Sequence, residues 1–242
     1  MWDIKSILYI VVVIILLLII YQYILKDVNT MTGLSTAKNM QTIQPNDLAT
    51  YSFAGNSVNF TYSIWFYIDD WNYRYGEPKI LFGRMTGMGD ELEPCPSVAL
   101  SPIQNDLVVS LAVYPGNDDD STETTVHKCS VSNVPIQRWT NLLISSYGRT
   151  LDLYIDGKLV RTCLMPGVPK IDSSAPVYIT PNGGFSGWTS RFQYWPSSTN
   201  PQKAWDIYKT GYGGSMLGQL FGRYSMKFSI MDGNMESSSW TI

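Results

Sequence analysis

The chain has 242 residues and a formal net charge of −3, with acidic and basic residues interspersed along it. It has no basic stripe to neutralise phosphates, so nucleic acid is not expected as a partner. Its three cysteines are too few to form a disulfide scaffold, and a chain of this length does not need one. The high aromatic content and the frequent Gly and Pro predict a β protein with many turns.

An uninterrupted apolar run extends from Ile7 to Leu25. As a helix it is long enough to cross the hydrocarbon core of a bilayer, which is about 30 Å thick. Lys5 and Lys26 bracket the run at the headgroup level. A cleaved signal peptide is the alternative, but the run is longer than a usual signal core and no small-residue cleavage site follows it closely. We therefore expect residues 1–26 to anchor a single-pass membrane protein, and the balanced lysines leave its orientation open.

Two further regions follow the anchor. Residues 27–50 are polar and aperiodic, which predicts a stalk. Residues 51–242 are typical of a β domain, and its first strand, Val58 to Ile68, has the period of two expected when one face is buried. Further strands are predicted at Lys79 to Arg84, Val98 to Ser101, Leu107 to Tyr114, Thr125 to Val131, Thr140 to Tyr147, Leu151 to Ile155, Leu159 to Cys163, Val177 to Thr180, Thr189 to Trp195 and Arg223 to Met231. Short strands at this spacing predict an antiparallel sandwich.

Local signals indicate one hairpin turn and one helix in this domain. Asp156-Gly157 is the signal of a type I′ turn, because both central residues need positive φ and this pair tolerates it. Asn200 suits the N-cap of a helix, Pro201 suits its first position and Gly211 suits its end.

Several segments resemble concanavalin A-like, laminin-G-like domains. They are FTYSIWFYIDD (Phe60 to Asp70), KILFGR (Lys79 to Arg84), VPIQRWTNLLISS (Val134 to Ser146), TLDLYIDGKLV (Thr150 to Val160) and GGFSGWTSRFQYWP (Gly183 to Pro196). The resemblance covers residues 52–214. It implies an all-β antiparallel jelly-roll sandwich, here preceded by one transmembrane α-helix and followed by a C-terminal extension, residues 215–242.

The anchor together with the phrases PIQRWTNL, DLYIDGKLVRTC and GGFSGW also resembles proteins of large DNA viruses of algae and amoebae. That resemblance implies a minor capsid or membrane protein of the virion, seated in the inner membrane beneath the capsid. Its partners would be the lipid bilayer and other capsid or membrane proteins of the assembly. The alternative is a membrane-anchored lectin that binds glycan for attachment, and a glycan-processing enzyme is the third reading.

The sequence gives little support for catalysis or a cofactor. Glycoside hydrolysis needs two positioned carboxyl groups. The only close glutamates, Glu91 and Glu93, lie in a Gly/Pro-rich loop. We therefore expect no catalytic residue and no cofactor.

No metal site is expected either. His127 and Cys129 share a strand face and could be two metal ligands, but no further His or Cys lies at a usual ligand spacing. Whether the acidic run Asn117 to Asp120 binds calcium stays open.

The loop that holds Trp71, Tyr73 and Tyr75 is the best candidate for a contact with a partner protein or a glycan, because such residues dominate interfaces. Packing over the end of the sandwich is the alternative. Asn59 begins an N-glycosylation sequon, but a position inside a strand is a poor acceptor.

The cysteines allow one disulfide. We expect Cys129 to pair with Cys163, because both belong to one series of consecutive strands in which close approach is plausible, and Cys95 to stay unpaired. Free buried thiols are the alternative.

Overall fold

The computed structural model describes residues 4–20, 29–49, 59–85, 94–114, 124–213, 227–232 and 235–241. The chain divides into two compact units. Asn29–Tyr212 form one unit, and Met1–Val28 with Gly213–Ile242 form the other. Both six-stranded sheets described below lie in Asn29–Tyr212.

The described elements are three helices and fourteen strands. The helices are α1 (Ile4–Ile20), α2 (Pro45–Ala49) and α3 (Pro201–Lys209). The strands are β1 (Ser35–Thr36), β2 (Gln41–Ile43), β3 (Phe60–Asp70), β4 (Lys79–Arg84), β5 (Ser97–Leu100), β6 (Leu107–Val113), β7 (Thr125–Val131), β8 (Trp139–Tyr147), β9 (Thr150–Ile155), β10 (Lys158–Leu164), β11 (Val177–Ile179), β12 (Ser186–Trp195), β13 (Lys227–Asp232) and β14 (Met235–Thr241).

Two six-stranded antiparallel sheets form the sandwich. Sheet A has the order β1-β12-β3-β8-β9-β10, and sheet B has the order β2-β11-β4-β5-β6-β7. Strand β3 lies inside sheet A, where Phe66 is paired with Thr189 of β12 on one side and with Thr140 of β8 on the other. The inward side chains of β3 are at most 1% exposed; they are Phe60, Tyr62, Ile64, Phe66 and Ile68. Burial of each contributes about 1.5–3 kcal/mol, so this strand is the main apolar contribution of sheet A.

The hairpin between β9 and β10 and helix α3 support each other. Asp156 and Gly157 have φ of 50° and 72°, as a type I′ turn requires. A Cβ at Gly157 would lie 2.9 Å from the Cβ of Tyr208, so the turn fits under the helix only as glycine. The helix is capped by Asn200, whose Oδ1 accepts from the Lys203 N–H at 2.8 Å.

Helix α3 covers part of the outer face of sheet A. Ala204 and Ile207 are buried against Leu143 of β8 and Tyr154 of β9. The outer face is therefore not wholly exposed to solvent, and the helix ends beside the central strand β3, where Tyr208 stacks on Trp65.

The structure differs from the stalk expected at residues 27–50. Strand β1 pairs with β12, β2 pairs with β11, and Ala37 and Leu48 are buried in the core. Both strands are too short to show a period of two, and their neighbours are polar, so the sequence pattern is that of a linker. Residues 29–49 belong to the sandwich instead.

The apolar N-terminal segment forms the 17-residue helix α1. Within the described ranges, no helix combines the length and apolar character that crossing a bilayer requires. The predicted end of the span, Leu25, lies outside the described residues. In the C-terminal part, β13 and β14 form an antiparallel hairpin. The predicted strand Arg223 to Met231 overlaps β13, and Arg223 lies outside the described residues.

A disulfide joins Cys129 of β7 to Cys163 of β10, with the two Cα atoms 6.2 Å apart. Strand β7 is an edge strand of sheet B and β10 is an edge strand of sheet A, so the disulfide connects the two sheets along one edge of the sandwich. The buried Cys95 takes no part in a disulfide.

Replacing Cys129 and Cys163 together by Ser should lower the free energy of unfolding by about 3 to 4 kcal/mol, because the disulfide closes a long loop in the unfolded chain. Urea unfolding measures this change. Peptide mapping without reduction should recover the two cysteines as one linked pair, with Cys95 alkylated only after denaturation. Separately alkylated Cys129 and Cys163 peptides from quenched native protein would contradict the prediction.

Candidate functional site

The loop predicted as a contact surface is fastened to the sandwich. The Trp71 indole N–H donates to the Ile103 carbonyl at 3.2 Å, and the Tyr73 hydroxyl donates to the Gly183 carbonyl at 3.1 Å. Both rings are partly buried. Tyr75, which is 58% exposed, is the member of the predicted trio that faces solvent. Trp71 and Tyr73 therefore hold the loop in place and leave Tyr75 at its surface.

A buried lysine lies under this loop. The Lys79 side chain, at the start of β4, is 1% exposed, and its ammonium lies 4.8 Å from the centre of the Trp71 ring. Burial lowers the pKa of Lys79 below its usual value, and the positive charge of Arg74 lowers this pKa further. Such a cation–π contact stabilises by about 2 kcal/mol when it is desolvated. It further fixes Trp71 as a structural residue.

The other sequence candidates do not assemble into a site in the described part of the chain. No group of three or more His, Cys, Asp or Glu that could hold a metal ion occurs there. The Oδ1 of Asn59 accepts from the Gly148 N–H at 2.9 Å, and Asn59 is half-buried. Glu91, Glu93 and the run Asn117 to Asp120 lie outside the described residues.

A row of aromatic side chains crosses the outer face of sheet A. Tyr67 of β3 pairs in register with Trp188 of β12 and with Trp139 of β8. The ring centres of Tyr67 and Trp188 are 5.6 Å apart, and those of Tyr67 and Trp139 are 5.8 Å apart. Because residues in register on neighbouring strands point to the same side, the three rings form a continuous strip across three strands.

Tyr212 extends the row. Its ring stacks on Trp139 with centres 4.5 Å apart and planes 8° apart, and it meets the buried Trp65 edge-on. Trp188 is 42% exposed and Tyr212 is 45% exposed. We call Tyr67, Trp139, Trp188 and Tyr212 the aromatic platform. Exposed apolar surface of this kind marks a binding site more often than scattered single residues do.

Two consecutive residues of β12 hold Tyr212 over the sheet. The Ser190 hydroxyl donates to the Tyr212 carbonyl at 2.8 Å. The guanidinium of Arg191, which is 5% exposed, donates through Nη1 to the Thr210 hydroxyl at 2.8 Å and to the Gly211 carbonyl at 3.2 Å. Arg191 lies at a β-bulge and has a φ of 47°. The bulge thus turns a charged side chain toward the segment after α3 and fixes the position of Tyr212.

The platform was not predicted from the sequence, although part of its signal is visible there. The alternation along β3 puts Trp65 and Tyr67 together on the face away from the core. Trp188 and Trp139 join them only through the strand register, and Tyr212 only through the bulge at Arg191. Register is set by long-range pairing that one sequence does not reveal.

Residues 41–203 match the laminin G family model described as the concanavalin A-like lectin/glucanases superfamily. The chain belongs to this superfamily. The match begins at β2 and ends within α3, so it includes the three strands that carry the aromatic row. No curated protein sequence matches the chain.

Solved structures with a similar fold are binding domains of botulinum neurotoxins. The receptor-binding domain of a C/D mosaic serotype has a TM-score of 0.52 and 13% identity, over 76% of this chain and 45% of that chain. The binding domain of neurotoxin DC, solved with rat synaptotagmin II, has a TM-score of 0.50 and 14% identity, over 76% and 50%. A type C structure, described by cell entry that depends on two ganglioside molecules, has a TM-score of 0.50 and 14% identity, over 74% and 46%.

These matches confirm the expected two-sheet antiparallel sandwich of concanavalin A-like type. At identities of 13–14%, the similarity to the neurotoxin structures shows a shared fold alone. This chain spans about half of the length of each neurotoxin domain. The comparisons give no support to a virion or capsid protein. The description of the matched family names lectins and glucanases, and a lectin is the alternative function expected from the sequence.

Replacing Arg191 by Gln should release Tyr212 from Trp139, because the charged donor to Thr210 and Gly211 is lost. Hydrogen bonds from charged groups contribute about 1.5–3 kcal/mol, so the free energy of unfolding measured in urea should fall by that amount. Near-ultraviolet circular dichroism should change as much as it does in Tyr212→Ala. Arg161→Gln, an exposed position on β10, is the control and should change neither measurement.

Proposed function

We propose that this chain is a non-enzymatic, glycan-binding protein of lectin type, held at a membrane by its N-terminal apolar segment. The observation that carries the proposal is the aromatic platform, a row of rings on the outer face of a sandwich from a superfamily of lectins and glucanases. The apolar face of a sugar ring packs on an aromatic face, and large rigid aromatic side chains lose little conformational entropy on binding.

The arrangement of the platform supports binding by a surface that is already formed. Tyr212 is stacked on Trp139 and its carbonyl is bonded to Ser190, so the ring need not be ordered by a ligand. Preorganisation of this kind lowers the entropic cost of association. Trp188 and Tyr212 keep over two-fifths of their surface in solvent, so a ligand has rings to bury.

A glycan as the ligand agrees with the type C neurotoxin structure, which is described by cell entry that depends on two ganglioside molecules. The similarity to the neurotoxin domain is limited to the fold, so the proposal rests on the platform residues of this chain. The same proposal keeps the expectation that the chain is not an enzyme. Incubation with the oligosaccharides that it binds should release no shorter products.

Replacing Trp188 by Ala should weaken glycan binding by about 30-fold, because loss of an aromatic anchor costs about 2 kcal/mol or more. The measurement is binding of the full-length protein to an array of neutral and acidic glycans, in a detergent that has no sugar headgroup. Tyr147→Ala is a matched control, since Tyr147 is 67% exposed on the same face of β8 but at its other end. Equal binding by Trp188→Ala and the unaltered protein would remove the platform from the function.

The membrane tether is tested separately. The run Ile7 to Leu25 has no charged residue, so the protein should stay with membranes through an alkaline carbonate wash. Replacing two residues at the centre of the run, Ile15 and Leu16, by Arg should release it, because each arginine there costs about 2.5–3.5 kcal/mol on insertion scales. Replacement of both by Ala is the control. Release of the unaltered protein by carbonate would show that the segment does not anchor it.

A further inference from the structure

The strands of the aromatic platform carry little positive charge. Strands β3, β8 and β12, which carry the row, contain one basic residue, Arg191. That guanidinium is 5% exposed and donates to Thr210 and Gly211, so it faces the protein. The row therefore offers an incoming ligand no cation from its own strands.

The basic residue that precedes the row is also engaged. Arg138, immediately before β8, forms an ion pair with Asp156 in the β9–β10 turn. The other carboxylate oxygen of Asp156 accepts from the Asn141 N–H at 2.9 Å, which fixes this acid in place. Since the charge of Arg138 is balanced within the sheet, the pair gives little attraction to an anion.

Strand β3 ends beyond the aromatic row with two exposed acids, Asp69 and Asp70. Asp69 follows Tyr67 by two residues and is the extra residue of a bulge in β3, between the pairs Ile68–Gly187 and Asp70–Ser186. Its backbone is held there by Gln137, whose Nε2 donates to the Asp69 carbonyl at 3.5 Å and whose N–H donates to the Ile68 carbonyl at 2.8 Å. The Asp69 carboxylate is thus an exposed hydrogen-bond acceptor two residues along β3 from Tyr67, a ring of the platform.

We propose that the ligand of the platform is an uncharged carbohydrate chain. Its sugar rings stack on Trp188 and Tyr212, and its hydroxyl groups donate to the carboxylate of Asp69. This inference rests on the proposed function and adds the class of glycan to it. A sialylated or sulfated chain would bring its negative charge toward Asp69 with no free cation on the row to balance it, and like charges in a contact oppose binding.

The test compares neutral with acidic oligosaccharides on the full-length protein in a sugar-free detergent. The neutral probes are maltohexaose, cellohexaose, chitohexaose and mannohexaose, and the acidic probes are sialyllactose, a hyaluronan hexasaccharide and a heparin hexasaccharide. At least one neutral probe should bind, and no acidic probe should bind as tightly. Asp69→Ala should weaken the neutral complex by about tenfold or more, since a hydrogen bond to a charged group is lost.

A charge-matched control lies beside it. Asp70→Asn removes the same charge from the next residue and keeps the bond in which Oδ1 accepts from the Asn72 N–H at 2.9 Å, so it should leave neutral binding unchanged. Thermal unfolding of both variants shows that they fold. The inference is overturned if an acidic probe binds more tightly than every neutral probe, or if Asp69→Ala binds the neutral probe unchanged. In either case the proposed function stands as long as Trp188→Ala still weakens binding. If Trp188→Ala binds every probe as well as the unaltered protein does, the proposed function fails, and this inference fails with it.

Discussion

Strand β3 is buried on both of its faces, and the rest of the sandwich depends on the alternation of its side chains. One set, which includes Phe60, Phe66 and Ile68, fills the core. The other set, which includes Trp65 and Tyr67, lies on the outer face with α3 and the rest of the platform. A slip of one residue against β8 or β12 would exchange the two sets and put Trp65 into the core. Polar contacts also hold the register, since Asn141 of β8 donates through Nδ2 to the Ser63 hydroxyl at 3.0 Å. The core and the candidate site are thus fixed by the same pairing.

The two aromatic regions of this protein differ in what their polar atoms do. In the loop after β3, the Trp71 N–H and the Tyr73 hydroxyl bond inward to backbone carbonyls, so these rings stabilise a turn. On the platform the rings contact each other, and the exposed ones keep surface for a ligand. Hydrogen bonds that tie both rings to the backbone of other segments make the first arrangement a structural one. Aromatic content alone therefore does not distinguish a contact surface from a packed loop.

The sequence predicts most of the sandwich and little of the site. Strand β3, which has a clear period of two, and the Asp156-Gly157 turn are visible because local chemistry determines them. Strands β1 and β2 are missed because two or three residues carry no period. The platform is missed because its rings come from three strands and one loop, which only the register and the bulge at Arg191 bring together. Local patterns report local structure, whereas a surface assembled from distant segments needs the pairing itself.

The contribution of residues 29–49 to both sheets has a consequence for synthesis of the chain. Ser35 pairs with Thr189 and Gln41 pairs with Ile179, partners that follow roughly 140 to 150 positions later. At translation rates of about 5–20 residues per second, roughly 7 to 30 s pass between the synthesis of β1 and β2 and that of their partners. A long apolar strand left open for that time would pair with other chains. The brevity and polarity of this segment, the same traits that make it look like a linker, keep it soluble until the last strands of the sandwich emerge.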